Sequence, residues 1–261
     1  MTHTTTAGTL SQERARSAQE ARRLAHTDLR MPDVARYDAP AADTIYPLEY
    51  AYYLLPNIVG KHVLDYGCGD GLNTVGLLRR GAYVVALDIS ADLLRVAKQR
   101  ALTNVGKTGV WFYCADAHAT RLSAAWFDVV FGTAILHHLD LDRALTEVYR
   151  LLKPGGVAIF KEPMRSSAVL RAIRRLIPYT TPETSPDEYP LRASDWDAAI
   201  RRAGFTLEQS KDFLLPTTNV IEAFLPRFAR WSYRLDAWLL RYVPFLRFYA
   251  SQRVVRLRKG A

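Results

Sequence analysis

The stretch Val63-Leu64-Asp65-Tyr66-Gly67-Cys68-Gly69-Asp70-Gly71 decides the fold of this 261-residue chain. Its apolar positions end in an acidic residue, and three glycines then alternate with other residues. This pattern predicts a buried strand that turns sharply into a helix, because glycine lets the backbone bend and lets a ligand approach the main chain. The helix N-terminus behind the turn offers unpaired N–H groups to such a ligand. A glycine-rich turn identifies no ligand by itself, so its meaning depends on the residues downstream of it.

Strands and helices alternate after this turn with little sequence between them. Strands are predicted at His62–Tyr66, Tyr83–Leu87, Val110–Cys114, Phe127–Phe131 and Gly156–Lys161. Helical patterns lie between most of them, at Leu72–Arg80, Ala91–Leu102 and Leu141–Leu152. Repeated strand–helix units predict an α/β fold, doubly wound and Rossmann-like, with a mostly parallel sheet. Ligands of such sheets bind beyond the carboxyl ends of the strands.

Acidic residues stand at three of these strand ends. Asp65 closes the first strand, Asp88 follows the second, and Asp116 follows the third. A carboxylate after the second strand can accept from both hydroxyls of a ribose, and one after the third can accept from an exocyclic amine such as that of adenine. A single acid of this kind is often only a helix cap. Aligned strand ends, however, predict one shared nucleoside site.

Together these motifs resemble the class I S-adenosylmethionine-dependent methyltransferases. The resemblance covers about residues 60–163 closely, and its motifs are Val63–Gly71 (VLDYGCGDG), Val84–Ser90 (VVALDIS), Cys114–Ala117, Phe127–Leu139 (FDVVFGTAILHHL) and Leu151–Phe160 (LLKPGGVAIF). It implies a seven-stranded sheet whose last strand is antiparallel. The alternating stretch Gln252–Arg258 fits that last strand.

The resemblance also implies S-adenosyl-L-methionine as the cofactor. The expected cofactor-binding residues are Asp65, Gly67, Cys68, Gly69, Asp88, Ile89, Asp116, Ala117 and Thr133. Asp65 and the glycine turn would face the methionine part, and Asp88 would hold the ribose. Ile89 and Ala117 would enclose the adenine, whose amine would donate to Asp116. Thr133 stands where the fourth strand ends.

A dinucleotide-dependent dehydrogenase is the nearest competing interpretation. That fingerprint requires Gly-x-Gly-x-x-Gly, but Leu72 stands where the third glycine would fall. Tyr149 and Lys153 have the Tyr-x-x-x-Lys spacing of some reductases. Their helix leads into the fifth strand, which puts Lys153 at the wrong edge of the sheet. The sequence therefore favours the methyltransferase.

The end of the fourth strand indicates the class of acceptor. It has Gly132-Thr133-Ala134-Ile135-Leu136-His137-His138, without the Asn/Asp-Pro-Pro-aromatic motif of enzymes that methylate amines in nucleic acids and proteins. Leu136-His137-His138-Leu139 resembles the branch with quinone, sterol and natural-product methyltransferases. We therefore expect a small, hydrophobic or lipid-like acceptor of secondary metabolism, with oxygen or carbon preferred to nitrogen.

His137, His138 and Glu162 are the candidates for catalysis. A histidine with its ordinary pKa of about 6.5 can act as a general base toward a hydroxyl or an acidic carbon. Each histidine can equally orient the loop or pack in the core, and Glu162 can equally pair with nearby arginines. Tyr37 and Tyr46, with His137, are candidates for contacting the acceptor, although tyrosines also pack on cores. No cluster has metal-ligand spacing.

The domain organisation predicted is a cap segment at 1–45, partly disordered, and a methyltransferase domain at 46–261. Lid insertions are expected at about 163–190 and 216–250. Two cysteines, Cys68 and Cys114, cannot make a disulfide framework. They indicate a reducing compartment, so a cytoplasmic location is expected. Neither a secretory signal nor a membrane-spanning helix is expected.

The second insertion carries an aromatic stripe at helical spacing, formed by Phe224, Phe228, Trp231, Leu235, Trp238 and Tyr242. Arginines run beside it, at Arg227, Arg230, Arg234 and Arg241. The stripe can pack on the domain and roof the acceptor pocket, which the pattern alone favours. It can also rest on an anionic membrane as a peripheral contact through 224–247.

The net charge of +9 is concentrated at the C-terminus. From Arg227 onward, nine basic residues face Asp236 as the one acid. This balance leaves an RNA methyltransferase as an alternative, although nucleic acid is not expected because no aromatic-basic RNA motif is present. A cofactor-binding module without transferase activity is the other alternative.

Overall fold

One mixed sheet organises the chain, for which a computed structural model describes residues 7–24, 27–106, 109–164, 191–215, 218, 221 and 225–261. The strands of the described residues are β1 (His62–Tyr66), β2 (Tyr83–Asp88), β3 (Val110–Cys114), β4 (Phe127–Thr133), β5 (Leu152–Pro163), β6 (Thr206–Phe213) and β7 (Gln252–Arg258). The helices are α1 (Ala7–Leu24), α2 (Pro47–Tyr53), α3 (Leu72–Arg79), α4 (Ala91–Asn104), α5 (Leu141–Leu151), α6 (Ala193–Arg202) and α7 (Ala229–Tyr242). The predicted α/β fold is confirmed.

The strand order is β3-β2-β1-β4-β5-β7-β6. The first five strands are parallel, while β7 pairs antiparallel with both β5 and β6. This confirms the predicted antiparallel last strand. Because β6 therefore runs in the direction of β5, the carboxyl ends of β1, β2, β4 and β6 lie at the same edge of the sheet.

Helices cover both faces of the sheet, which explains why the central strands are apolar almost throughout. One face packs Val63, Val129 and Ile159 with α2 and α3. The opposite face packs Leu64 and Phe160 with α5 and α6. Neighbouring residues of one strand thus enter two different cores, as the alternation of side chains in a strand requires.

The fifth strand begins earlier than predicted. Lys153, Pro154 and Gly155 precede the predicted strand Gly156–Lys161, but they lie inside β5. Gly155 adopts φ +73°, which is favourable for glycine, and its N–H donates to the carbonyl of Gly260. A register shift between Phe127 and Val129 accommodates the irregular start on β4.

The N-terminal cap segment contains a long helix. In α1, Ala21 is buried against Leu93 and Val96 of α4. The very start of the chain, where disorder was expected, lies outside the described residues, as do residues 25–26. Pro47 occupies the first turn of α2, a position where its missing N–H has no helical partner to lose.

The structure describes most of the second predicted lid insertion but little of the first. Most of the first insertion, residues 165–190, lies outside the described residues, as does Phe224 of the aromatic stripe. In the second insertion, α7 is preceded and followed by 3-10 helices at Pro226–Phe228 and Pro244–Tyr249. The favoured prediction that the stripe packs inward is wrong, since Trp231 and Trp238 are more than half exposed.

The reason lies in the other face of α7. This helix buries Ser232, Asp236 and Leu240 toward the domain, and the carboxylate of Asp236 accepts from the N–H of Leu215 at 2.8 Å. Spacing alone predicts that one face is apolar, but it does not say which face meets the sheet. None of the described helices combines the length and the apolar character needed to cross a membrane.

Candidate active site

The glycine turn joins β1 to α3 and lies against the end of β2. Gly67 and Cys68 donate their backbone N–H groups to the carbonyl of Leu87, at 2.9 and 2.8 Å. Gly69 has φ +52°, and no atom beyond its chain neighbours comes within 4 Å of the position that a Cβ would take. A side chain there would strain the backbone and fill the space in front of the turn. The turn therefore presents an open cradle at its middle.

Asp88, the last residue of β2, holds this cradle in place. Its Oδ2 accepts from the N–H of Gly69 at 2.9 Å, and its Oδ1 accepts from the N–H of Ser90 at 2.9 Å. The hydroxyl of Ser90 accepts from the N–H of Leu93 and so caps α4. An ionised carboxylate can accept about four hydrogen bonds, which is more than these two.

Asp65 lies beneath the turn and is almost fully buried. The hydroxyl of Thr74, in the first turns of α3, donates to its Oδ2 at 2.5 Å. The pKa of Asp65 is raised to about 7, mainly by burial and further by the charges of Asp88 and Asp70, while the bond from Thr74 lowers it. A cationic group bound nearby would favour the ionised form of this carboxyl.

Asp116 follows β3 and is held by its neighbour His118. Its Oδ1 accepts from the backbone N–H of His118 at 2.8 Å and contacts the ring Nδ1 at 2.7 Å. Burial raises the pKa of Asp116, but the bonds from His118 outweigh that effect, so the pKa lies below its ordinary value. The other ring nitrogen of His118 accepts from the N–H of Asp140. His118 is therefore structural, and Asp116 is an ionised acceptor.

The remaining expected cofactor contacts lie around the same strand ends. Ala117 is buried, and its carbonyl accepts from the hydroxyl of Tyr66 at 2.7 Å. Ile89 is half-buried directly after β2. Thr133 ends β4, where its hydroxyl accepts from the side-chain amide of Asn73 at 2.7 Å. Sequence reasoning did not single out Asn73, whose only signal is a polar side chain in the first turn after the glycines.

The loop after β4 is held in a strained conformation. Ala134 adopts φ +55°, which is unfavourable for a residue with a Cβ, and its N–H donates to the carbonyl of Lys161 at 2.8 Å. Ile135 packs so close to the glycine turn that a Cβ on Gly67 would lie 2.6 Å from its side chain. The loop and the turn are therefore in direct contact.

Glu162 is the anchor of this loop. Its side chain has no exposed surface. Oε1 accepts from the N–H groups of Ile135 and Leu136, both at 2.9 Å, and Oε2 lies 2.9 Å from Nδ1 of His137. In the tautomer in which Nδ1 of His137 donates to Oε2 of Glu162, Nε2 is the nitrogen with a lone pair that can accept a proton. Glu162 itself lies too deep to contact an acceptor.

His138 stands beside this pair. Its ring centroid lies 4.0 Å from that of His137, and its side chain is half-buried. The carboxylate of Glu162 fixes the ring of His137. His137 is therefore a well-positioned candidate base.

The two tyrosines expected near the acceptor both flank Arg36, whose guanidinium carbon lies 5.4 Å from the ring centroid of Tyr37 and 5.1 Å from that of Tyr46. Tyr37 stacks on Tyr52 at 4.9 Å, and the hydroxyl of Tyr52 donates to the carbonyl of Asn73 at 3.2 Å. This hydrogen bond joins the Tyr37–Tyr52 pair to the first turn of α3, next to the glycine turn. Tyr46 instead contacts Tyr233 of α7, with ring centroids 5.0 Å apart. The described contacts do not bring Tyr46 to the strand ends.

A cavity of about 430 Å³ lies at the carboxyl end of β6, between the loop before α2 and the inner face of α7. Lys211 lines it, half-buried, and donates to the carbonyl of Thr44 at 3.1 Å. Burial lowers the pKa of Lys211. No sequence signal pointed to this cavity, because its walls come from distant parts of the chain. Across the described residues, no three acids, histidines or cysteines form a metal-ligating group.

Residues 64–160 match the sequence model of a family described as "Methyltransferase domain". This stretch of the chain is a methyltransferase domain. S-adenosylmethionine-dependent methyltransferases share its fold. A ubiquinone biosynthesis O-methyltransferase of Coxiella burnetii is 36% identical over 102 residues, which are 39% of this chain and 43% of that protein. The chain thus spans less than half the length of this relative.

Solved structures share the fold of the methyltransferase domain at low identity. Magnesium protoporphyrin IX methyltransferase of Synechocystis, with S-adenosylhomocysteine bound, superimposes with a TM-score of 0.60 at 17% identity over 97% of this chain and all of that one. The [4+2]-cyclase SpnF superimposes with a TM-score of 0.55 at 20% identity, over 78% and 76% of the two chains. These solved structures show the fold of this chain. A shared fold alone does not decide which reaction a protein catalyses.

The residues of the methyltransferase domain fit its cofactor, S-adenosylmethionine. The fit rests on the cradle at Gly69, which any side chain would fill, and on the carboxylates of Asp88 and Asp116 at adjacent strand ends. These provide acceptors for hydroxyls and for an amine, at the edge of the sheet where such folds bind ligands.

Proposed function

We propose that this protein transfers a methyl group from S-adenosylmethionine to a small, hydrophobic or lipid-like metabolite, at oxygen or carbon in preference to nitrogen. The observation that carries the proposal is the buried pair of Glu162 and His137 beside the cofactor turn. A hydroxyl or an acidic carbon must lose a proton as it is methylated, whereas a neutral amine can attack with its free electron pair. A positioned base is therefore most useful for the first two.

The cofactor-binding residues divide the work of holding S-adenosylmethionine. Asp88 accepts from the ribose hydroxyls, Asp116 accepts from the adenine amine, and Ile89 and Ala117 enclose the ring. The cradle from Gly67 to Gly69, above Asp65, would hold the methionine part. Cys68 and Thr133 contribute the neighbouring wall.

When bound, the cofactor would supply a methyl group already activated on a positively charged sulfur and keep the electron pair of the broken methyl–sulfur bond on its sulfur. The protein has to place the acceptor in line with that methyl and exclude water. The acceptor's proton passes to Nε2 of His137. The negative charge of Glu162 stabilises the resulting imidazolium, as a carboxylate does for a catalytic histidine.

The nature of the acceptor is inferred from the composition of the loop and from the side chains around it. The stretch Gly132-Thr133-Ala134-Ile135 offers no proline-rich clamp for a flat base. Tyr37, His137 and, on the far side, Tyr46 provide apolar rings with polar edges. We place the protein in the cytoplasm, in peripheral contact with an anionic membrane through residues 224–247, where an apolar acceptor would be concentrated.

An RNA methyltransferase is less well supported. Part of the basic C-terminus is neutralised within the fold, because Arg253 pairs with Asp212 and Arg256 pairs with Glu208. The ammonium of Lys259 donates to the carbonyls of Tyr149 and Leu152. These cations therefore contribute little to a nucleic-acid surface.

The test uses cofactor labelled in its methyl group, with hydroquinones, phenols and hydroxylated isoprenoids as acceptors. We expect label in an organic-soluble product. His137→Gln and Glu162→Gln should each lower kcat about a hundredfold, within the range of general-base catalysis, and leave cofactor affinity unchanged. His138→Gln is the matched control and should retain activity. Label found in RNA, or tight cofactor binding with no label in any acceptor, would overturn the proposal.

A further inference from the structure

Helix α7 exposes aromatic side chains to solvent and turns polar side chains toward the domain. It buries Ser232 and Asp236 against the domain and exposes Trp231, Trp238 and Tyr242, the last at 60%. A helix on a water-facing surface normally shows the reverse arrangement. The exposed face therefore matches a surrounding that is less polar than water.

The same face continues past the break at Pro244. In the 3-10 helix Pro244–Tyr249, Phe245 is 63% exposed and Phe248 is 83% exposed. We call the exposed side chains of residues 225–249 the aromatic surface. A contiguous apolar patch on a soluble domain usually marks an interaction site. Seven large aromatic side chains at exposed positions are more than scattered surface residues explain.

Arginines accompany the aromatic surface in a regular way. Five times an arginine directly precedes an apolar residue, in Arg227-Phe228, Arg230-Trp231, Arg234-Leu235, Arg241-Tyr242 and Arg247-Phe248. In an α-helix, consecutive residues are about 100° apart, so the arginines form a band along one flank of the apolar stripe. All five are exposed.

These five arginines have no acidic partner among the described residues, whereas several arginines elsewhere do. Arg100 pairs with Asp70, and Arg253 pairs with Asp212. Asp236, the one acid between 225 and 261, is buried on the inner face. The aromatic surface is therefore purely cationic and apolar.

We propose that the aromatic surface docks on an anionic lipid bilayer, with the tryptophans and phenylalanines inserted at the headgroup boundary and the arginines at the lipid phosphates. Tryptophan and tyrosine favour that boundary, and arginine attracts anionic headgroups while its stem covers apolar surface. The proposal deepens the membrane contact of the proposed function, on which it rests, by naming the inserting residues and requiring anionic lipid.

Docking in this way would also set the orientation of the domain. The outer face of α7 would lie on the bilayer, and its inner face lines the 430 Å³ cavity through Tyr233, Ala237 and Leu240. The cavity lies at the carboxyl end of β6, at the edge of the sheet that holds the cofactor turn. An acceptor that partitions into the membrane would thus meet the protein on its active side.

The test is co-sedimentation of the full chain with vesicles of phosphatidylcholine alone and of phosphatidylcholine mixed equally with phosphatidylglycerol. We expect salt-sensitive binding to the mixed vesicles only. Trp238→Ser combined with Phe248→Ser should weaken binding about tenfold or more, since both side chains leave the boundary. Arg230→Glu combined with Arg234→Glu should weaken it by at least about fivefold for each arginine.

The matched controls are Trp111→Ser and Arg95→Glu, because both side chains are as exposed as the tested ones but lie on β3 and α4. They should bind vesicles normally. Cofactor affinity and methyl transfer to a soluble acceptor are measured in every variant, so failure to dock is distinguished from failure of the enzyme. Binding that the surface variants leave unchanged would overturn the proposal. Salt-sensitive binding to RNA, or self-association lost in Trp238→Ser, with no vesicle binding, would overturn it as well.

Discussion

Among single residues, Asp65 links the cofactor turn to pH. Its folded-state pKa of about 7 lies above the ordinary value of 3.8. Between these values the folded chain holds a proton that the unfolded chain has released, so the free energy of unfolding falls as pH rises. The full difference is about 4 kcal/mol, at about 1.4 kcal/mol per pH unit. This buried acid therefore makes the cofactor-free protein less stable above pH 7.

Asp65→Asn should remove that dependence. The variant has no charge to bury, so its stability relative to the natural chain should rise between about pH 4 and 7 and stay level above. Urea unfolding across this range measures it. Asp92→Asn, at an exposed position in the first turn of α4, is the control and should show no such rise. A stability difference that stays constant across the whole range would contradict the assignment.

Asp88 holds the glycine turn and is proposed to bind the ribose of the cofactor. Hydrogen bonds to a charged group contribute roughly 1.5–3 kcal/mol, so Asp88→Ala should weaken cofactor binding by one to two decades. Titration calorimetry with the cofactor measures this. Because Asp88 also holds the N–H of Gly69, Asp88→Asn is a useful second variant that keeps the shape of the side chain. Unchanged affinity in both variants would show that the ribose binds elsewhere.

The residue-level site was predictable wherever a motif fixed the spacing. Asp65, Asp88 and Asp116 could be placed at strand ends because strand length and alternation locate those ends. The partnership of Glu162 with His137 could not be predicted, because 25 residues separate them along the chain. It depends on β4 and β5 being adjacent and in a particular register, which no local pattern specifies.

Among the elements, α7 shows the limit of helical periodicity. The spacing correctly indicated one continuous aromatic stripe, but its direction depends on which residues satisfy the neighbouring backbone. Asp236 does so by accepting from the N–H of Leu215, and that bond turns the polar face inward. By contrast β1, β2 and β4 were well predicted, because a strand covered on both faces is apolar on both.

This orientation makes a prediction about stability. Trp231→Ser and Trp238→Ser remove exposed side chains, so each should change the free energy of unfolding by less than about 0.5 kcal/mol. Leu240→Ala, on the buried face of the same helix, should lower it by about 2–3 kcal/mol. Urea denaturation compares the three variants directly. A large loss for either tryptophan would mean that the aromatic face packs on the domain after all.

At the scale of the whole molecule, the residues that match the methyltransferase family do not include every strand of the sheet. The matched residues, 64–160, contain all the proposed cofactor contacts, yet the sheet extends well beyond them. β7 lies between β5 and β6 and pairs with both. Its Val254 packs with Val157 and Ile159 in one core, while Val255 and Leu257 pack in the other.

A chain ending at Ser251 should therefore fail to form the cofactor site, although it keeps every residue proposed to bind the cofactor. Without β7, the inner edge of β5 would present unpaired backbone groups, and β6 would lose its partner. We expect loss of the near-ultraviolet circular dichroism signal and of cofactor binding. Deleting only Ala261, which is exposed, is the control and should change neither. If the shortened chain still bound the cofactor, β1 to β5 alone would be the folding unit, and the C-terminal part would be an accessory that serves the membrane and the acceptor.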